Sequence, residues 1–129
     1  MLQGQARSHP LDSLVAVATV EEVRSARSEI RAIAVERTVA EYIVRVCGAT
    51  REHPSVALGV SPRGGILLYR MAQARAWAAE RSYVTPDDVK HVSVPVLAHR
   101  LVLEARARYG GTTGTAIVEE VLRRVPVPV

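Results

Sequence analysis

Three helix starts punctuate this chain, and their spacing leaves little room for any architecture but packed helices. Thr19-Val20-Glu21-Glu22 has the form of a capping box, in which an N-cap threonine and a glutamate at N3 satisfy each other's backbone N–H groups. Ser61-Pro62-Arg63 sets a good N-cap before a proline. Proline suits the first helical position, because it has no N–H to leave unpaired and its φ is already helical. Thr85-Pro86-Asp87-Asp88 repeats the pattern and adds two carboxylates to a first turn, where the helix dipole favours them. That placement accounts for both aspartates without catalysis.

Between these starts, apolar residues recur at helical spacing. Val23, Ala26, Ile30 and Ile33 form the stripe of the first helix. Val39, Tyr42, Ile43 and Val46 form that of a second, which is expected to fade near Gly48 into a loop through Arg51-Glu52-His53-Pro54. The helix opened by Ser61 is expected to be the longest, reaching about Arg81, with Leu67, Leu68, Met71, Ala72, Ala74, Ala78 and Ala79 on a broad apolar face. Arg63, Arg70 and Trp77 fall on another face, which leaves Trp77 either partly exposed or against a partner. After a loop from Tyr109 to Gly114, a last helix carries Ile117, Val118, Val121 and Leu122, and the tail Val125-Pro126-Val127-Pro128-Val129 cannot continue it. Val56-Ala57-Leu58 and the weakly alternating His99-Arg100-Leu101-Val102-Leu103 suffice for a short two-stranded β element. The expected fold is mainly α, a small helical bundle in one domain without internal repeats.

At 129 residues the chain can bury a real core unaided. Its single cysteine, Cys47, cannot form an internal disulfide and sits among apolar residues, so it reads as a small core residue. No apolar run has the length to cross a bilayer, and the N-terminus has no signal-peptide run, so the expectation is a cytoplasmic protein with no membrane role. The net charge of +4 raises the question of nucleic acid. Lys90 is the only lysine, however, and the few aromatic residues are not interleaved with arginine in the way that stacks bases. Arg24, Arg27 and Arg31 form a helical stripe that reads as a solvated face or as a contact for an acidic neighbour.

Most catalytic chemistry is excluded. Gly110-Gly111-Thr112-Thr113-Gly114-Thr115 lacks the lysine of a phosphate-binding loop and follows no convincing strand. His9, His53, His91 and His99 show no pairing at metal-ligand spacing, so no metal site is expected and surface or loop positions suffice for them. Glu119 and Glu120 fall on the polar side of the last helix, and no carboxylate pair suggests acid–base work. Arg63 is the exception. A cation in a first turn is disfavoured by the helix dipole by about 0.3 to 1 kcal/mol, whereas a phosphate there would meet the free N–H groups, the dipole and the guanidinium fork together.

His9-Pro10-Leu11, Gly59-Val60-Ser61-Pro62-Arg63, Tyr83-Val84-Thr85-Pro86-Asp87-Asp88-Val89, Val94-Pro95-Val96-Leu97-Ala98-His99-Arg100 and Val125-Pro126-Val127-Pro128, in that order, resemble the C-terminal lid of MoxR-type AAA+ ATPases. The resemblance covers residues 9–128 and implies a lid domain over 9–129, preceded at 1–8 by a disordered arm or linker. It further implies that Arg63 is the sensor 2 residue reaching the γ-phosphate of ATP, with Ser61 and Pro62 shaping the cofactor-binding turn. The core that would hold ATP and Mg²⁺ has no counterpart here, so this piece alone is not expected to hydrolyse ATP. The implied partners are its own N-terminal AAA+ core, neighbouring subunits of a hexameric ring and von Willebrand A domain proteins, in a chaperone-like role in protein maturation. The rival reading is a stand-alone helical interaction or nucleic-acid-binding domain, supported only by the charge and the arginine stripe.

Overall fold

The computed structural model describes residues 13–128. The expected arm at 1–8, the His9-Pro10-Leu11 motif and the domain boundary at residue 9 lie outside the described residues. Six α-helices follow in order: α1 (Val20–Ala32), α2 (Arg37–Arg51), α3 (Pro62–Ala78), α4 (Pro86–Leu97), α5 (Ala105–Tyr109) and α6 (Gly114–Arg124). Two short strands, β1 (Val56–Leu58) and β2 (Val102–Leu103), pair antiparallel with Val56 opposite Leu103 and Leu58 opposite Val102. The fold is therefore mainly α with one small β element, as the caps and periodicities predict. No described helix is long and apolar enough to cross a membrane.

The helix starts form as the local chemistry requires. Thr19 and Glu22 complete a capping box, Thr85 and Asp88 complete another, and the Ser61 and Thr113 hydroxyls cap α3 and α6. Each such cap contributes about 1 kcal/mol. The core lies where α2, α3, α4 and α6 meet. Tyr42, Val46, Leu68, Ala72, Leu97, Ile117 and Val121 are all fully buried there, and Cys47 joins them at 4% exposure. Burial pushes the Cys47 thiol pKa upwards, so it packs as an apolar residue and not as a nucleophile.

Tertiary packing redraws several sequence expectations. α2 does not fade at Gly48 but continues to Arg51, because buried Thr50 returns its hydroxyl to the Cys47 carbonyl at 2.7 Å and belongs to the core. The buried face of α3 is Gly64, Leu68, Ala72, Gln73 and Ala76. Leu67, Met71, Ala78 and Ala79 are exposed, since the small residues spaced four apart let α4 approach closely and leave the flanks outside. α3 also stops at Ala78, short of Arg81, because Glu80 turns left-handed and the Arg81 N–H reaches back to the Ala76 carbonyl at 3.0 Å.

α1 buries none of its residues. Val23 is exposed, while Ala26, Ile30 and the adjoining Ile33 are half-buried against α3. Gln73 secures its C-terminal end, donating from Nε2 to the Ile33 carbonyl at 2.7 Å, and Ala34 forms a parallel bridge with Tyr83. His99 and Arg100 form a 3₁₀ turn after α4 in place of strand, which shortens β2 to Val102–Leu103. Residues 105–109, where no helix is expected, form α5, and Gly114 opens α6 instead of closing a loop.

Candidate functional site

The site grows from the end of α2. Val60 is fully buried, and both of its backbone groups are held by α2: its N–H donates to Thr50 Oγ1 at 3.0 Å, and its carbonyl accepts from Arg51 Nε at 2.9 Å. Gly59 lies so close to the same turn that a Cβ would fall 2.7 Å from the Arg51 Cα. These contacts bring the chain into α3 at a fixed point. Ser61, at φ −71° and ψ 162°, then accepts the Gly64 N–H on its hydroxyl at 3.3 Å, and Pro62 occupies the first helical position.

Arg63 is the second residue of α3. It is exposed and has no hydrogen-bond or ion-pair partner among the described residues, and the first turn of the helix contains no acidic residue. The structure thus places Ser61, Pro62 and Arg63 together in one turn, with an uncompensated cation at the positive end of a helix dipole. A second arginine approaches the same turn. A Cβ on Gly64 would lie 2.7 Å from Val60 Cγ1 and 3.6 Å from Arg100 Cδ, so the stem of Arg100 crosses the start of α3. Arg100 is also exposed and unpaired among the described residues.

Sequence reasoning did not find the supports, Thr50 and Arg51, nor the approach of Arg100. The Ala49-Thr50-Arg51 end of a helical run carries no local signal for a partner nine or ten residues away. Ser61 and Pro62 also close one end of a groove of about 740 Å³ between α2 and α3. Ile33, Ile43, Cys47 and Ile66 give it apolar walls, and Arg31, Arg51 and Arg70 stand among its lining residues. Arg70 is steadied by a 2.8 Å bond to Gln73 Oε1 and by the Tyr69 ring, 5.6 Å from its guanidinium carbon.

His53 stands in the loop expected for it, between α2 and β1, but it is buried there. It is 6% exposed, its Nδ1 accepts the Ser55 N–H at 3.1 Å, and its Nε2 stands 3.4 Å from Glu120 Oε2. An accepting Nδ1 puts the proton of the neutral ring on Nε2, facing Glu120. The histidine therefore ties the loop before β1 to α6. Among the described residues, no group of three or more His, Cys, Asp or Glu side chains could hold a metal ion.

The chain is similar to known proteins in sequence and fold. Residues 48–121 match the AAA lid domain family model. The YeaC protein of Bacillus subtilis is 40% identical over 129 residues, covering 100% of this chain and 40% of that protein. The chaperone MoxR1 of Mycobacterium tuberculosis is 34% identical over 103 residues, 73% of this chain and 27% of the relative. A crystal structure of a Cytophaga hutchinsonii protein assigned as an ATPase superposes with a TM-score of 0.81 at 31% identity, covering 84% of this chain and 36% of that one. The chain thus spans 40% or less of each of these proteins. An ordered set of motifs, a matching helical architecture and these relatives converge: the chain belongs to the AAA lid domain family and is the lid of a MoxR-type AAA+ ATPase.

Proposed function

We propose that this lid closes over ATP held by the nucleotide-binding core of its parent, with Arg63 as the sensor 2 residue. The observation that carries the reading is Arg63 itself, exposed and unpaired in the first turn of a helix, where its own free N–H and the helix dipole both favour an anion. Its planar guanidinium suits bidentate, charge-assisted bonds to a phosphoryl group. Ser61 shapes that turn, and the apolar groove beside it offers a wall to the uncharged part of a nucleotide. These residues fit the phosphate end of ATP and supply no carboxylate set for Mg²⁺, which is assigned to the core.

When bound, ATP supplies the γ-phosphoryl group that is transferred to water. Arg63 offsets the charge on that group and registers its loss. Because Thr50 and Arg51 hold the start of α3 to α2, and α3 packs on α4, a shift at Arg63 moves the lid as one body. Residues 9–129 form the lid domain in this reading, and 1–8 an arm or linker. The parent is read as a cytoplasmic, hexameric, chaperone-like ATPase that acts with von Willebrand A domain proteins. Similarity to the chaperone MoxR1 supports the chaperone-like part.

Steady-state ATPase assays beside thermal melts test this in the complete parent. Arg63→Ala should melt like wild type, since it removes no packing, and should lower turnover on the order of 10³-fold or more. Arg63→Lys should rescue poorly, because a point charge cannot reproduce the fork. An Arg63→Ala parent with near-normal turnover would remove the sensor role.

A further inference from the structure

Every carboxylate of α1 is engaged within the chain. Glu21 accepts from Arg24 at 3.2 Å, Glu22 from the Thr19 N–H at 2.6 Å, and Glu29 from Ser25 Oγ and Trp77 Nε1, both at 3.0 Å. The guanidinium groups of Arg27 and Arg31 have no hydrogen-bond or ion-pair partner among the described residues. At 3.6 residues per turn, Arg24, Arg27, Ser28 and Arg31 share one face, opposite the Ala26, Ile30 and Ile33 side that leans on α3. Together these four residues line a shallow groove of about 230 Å³.

A helix face that is merely solvated usually intersperses both signs of charge. The outward face of α1 carries three arginines against one carboxylate, Glu21, which is already bound to Arg24. α6 provides the contrast: Arg123 and Arg124 are also unpaired, but Glu119 and Glu120 precede them by one turn, whereas every carboxylate of α1 is already engaged away from Arg27 and Arg31. We infer that the Arg24–Arg27–Arg31 face of α1 docks an acidic segment of a partner protein. Carboxylates spaced like neighbouring positions on a helix, roughly 5–6 Å apart, match the arginine spacing. Exposed ion pairs are individually weak and screened by salt, so this contact is an accessory one that salt dissociates. It stands independently of the role given to Arg63.

The test is a titration of fluorescein-labelled octaglutamate with the 129-residue chain, followed by anisotropy at low salt. An Arg27→Ala/Arg31→Ala double variant should weaken binding about tenfold, from the loss of two surface pairs. Its circular dichroism should be unchanged, because α1 buries no side chain. Arg123→Ala/Arg124→Ala removes the same net charge and should change affinity less than about twofold. Equal weakening by the two doubles, or no binding at low salt, would overturn the proposal. So would a single-stranded DNA of equal charge that binds the same arginines more tightly than the peptide.

Discussion

Arg81 and Asp88 meet through two parallel hydrogen bonds, Nη1 to Oδ2 at 2.7 Å and Nη2 to Oδ1 at 2.6 Å, across the connection from α3 to α4. Asp88 is buried and also accepts from the Thr85 N–H and hydroxyl, both at 2.9 Å. Burial by itself would raise the Asp88 pKa, but the bonds from Arg81 and Thr85 outweigh it and hold the carboxyl below its ordinary 3.8. A depressed folded pKa contributes stability that is present above the ordinary value and is lost as pH falls through the folded one. Melts from about pH 7 down to pH 2 should therefore show this contribution fading in wild type below about pH 4. Asp88→Asn should already be less stable by about 2 kcal/mol at neutral pH and should have a shallower acid loss. An acid profile identical to that of wild type would assign the pH dependence elsewhere.

Glu80 sets Arg81 up for that pairing at a local cost. Its φ of 55° is left-handed, with its N–H on the Trp77 carbonyl at 2.9 Å and the Arg81 N–H on the Ala76 carbonyl at 3.0 Å. This helix-ending motif favours glycine, and a side chain there costs on the order of 1 kcal/mol. Glu80→Gly should raise the urea midpoint by a corresponding amount. A lowered midpoint would reveal a stabilising role for the carboxylate.

The entry to α3 depends on Gly59. A Cβ there would meet the Arg51 Cα at 2.7 Å and the Arg51 N at 2.8 Å, and neither backbone atom can give way without moving α2. Gly59→Ala should cost about 2 kcal/mol or more, and Thr50→Val, which strands the buried Val60 N–H, about 1 to 3 kcal/mol. Hydrogen exchange at Val60 should quicken in both. Wild-type exchange in either variant would show that these contacts do not hold the turn.

Tyr42 is fully buried, and its hydroxyl has no hydrogen-bond partner among the described residues. Burial raises its pKa, so the phenol stays protonated. Tyr42→Phe keeps the ring and removes the stranded oxygen, so chemical denaturation should show it equal to wild type or more stable by up to about 1 kcal/mol. A loss of that size would point to a polar partner for the hydroxyl.

The sequence alone determined where α1, α3 and α4 begin, because a cap joins residues three apart: Thr19 with Glu22, Ser61 with Gly64, Thr85 with Asp88. It also determined the buried stripes of α2 and α6, where the apolar residues recur at helical spacing, and the first-turn position of Arg63. Only the tertiary structure decided which side of α3 is inside. Leu67 and Met71 are as apolar as Leu68 and Ala72, and the choice rests on the small residues that admit α4. Tertiary contacts also buried polar residues that composition would place outside: Gln73 against the Ile33 carbonyl, His53 beside Glu120, Asp88 under Arg81. At the candidate site the division is the same. A local rule placed Arg63 on its helix, while Thr50 beneath Val60 and the stem of Arg100 across Gly64 come from elements distant in sequence, whose meeting depends on the packing of the whole bundle.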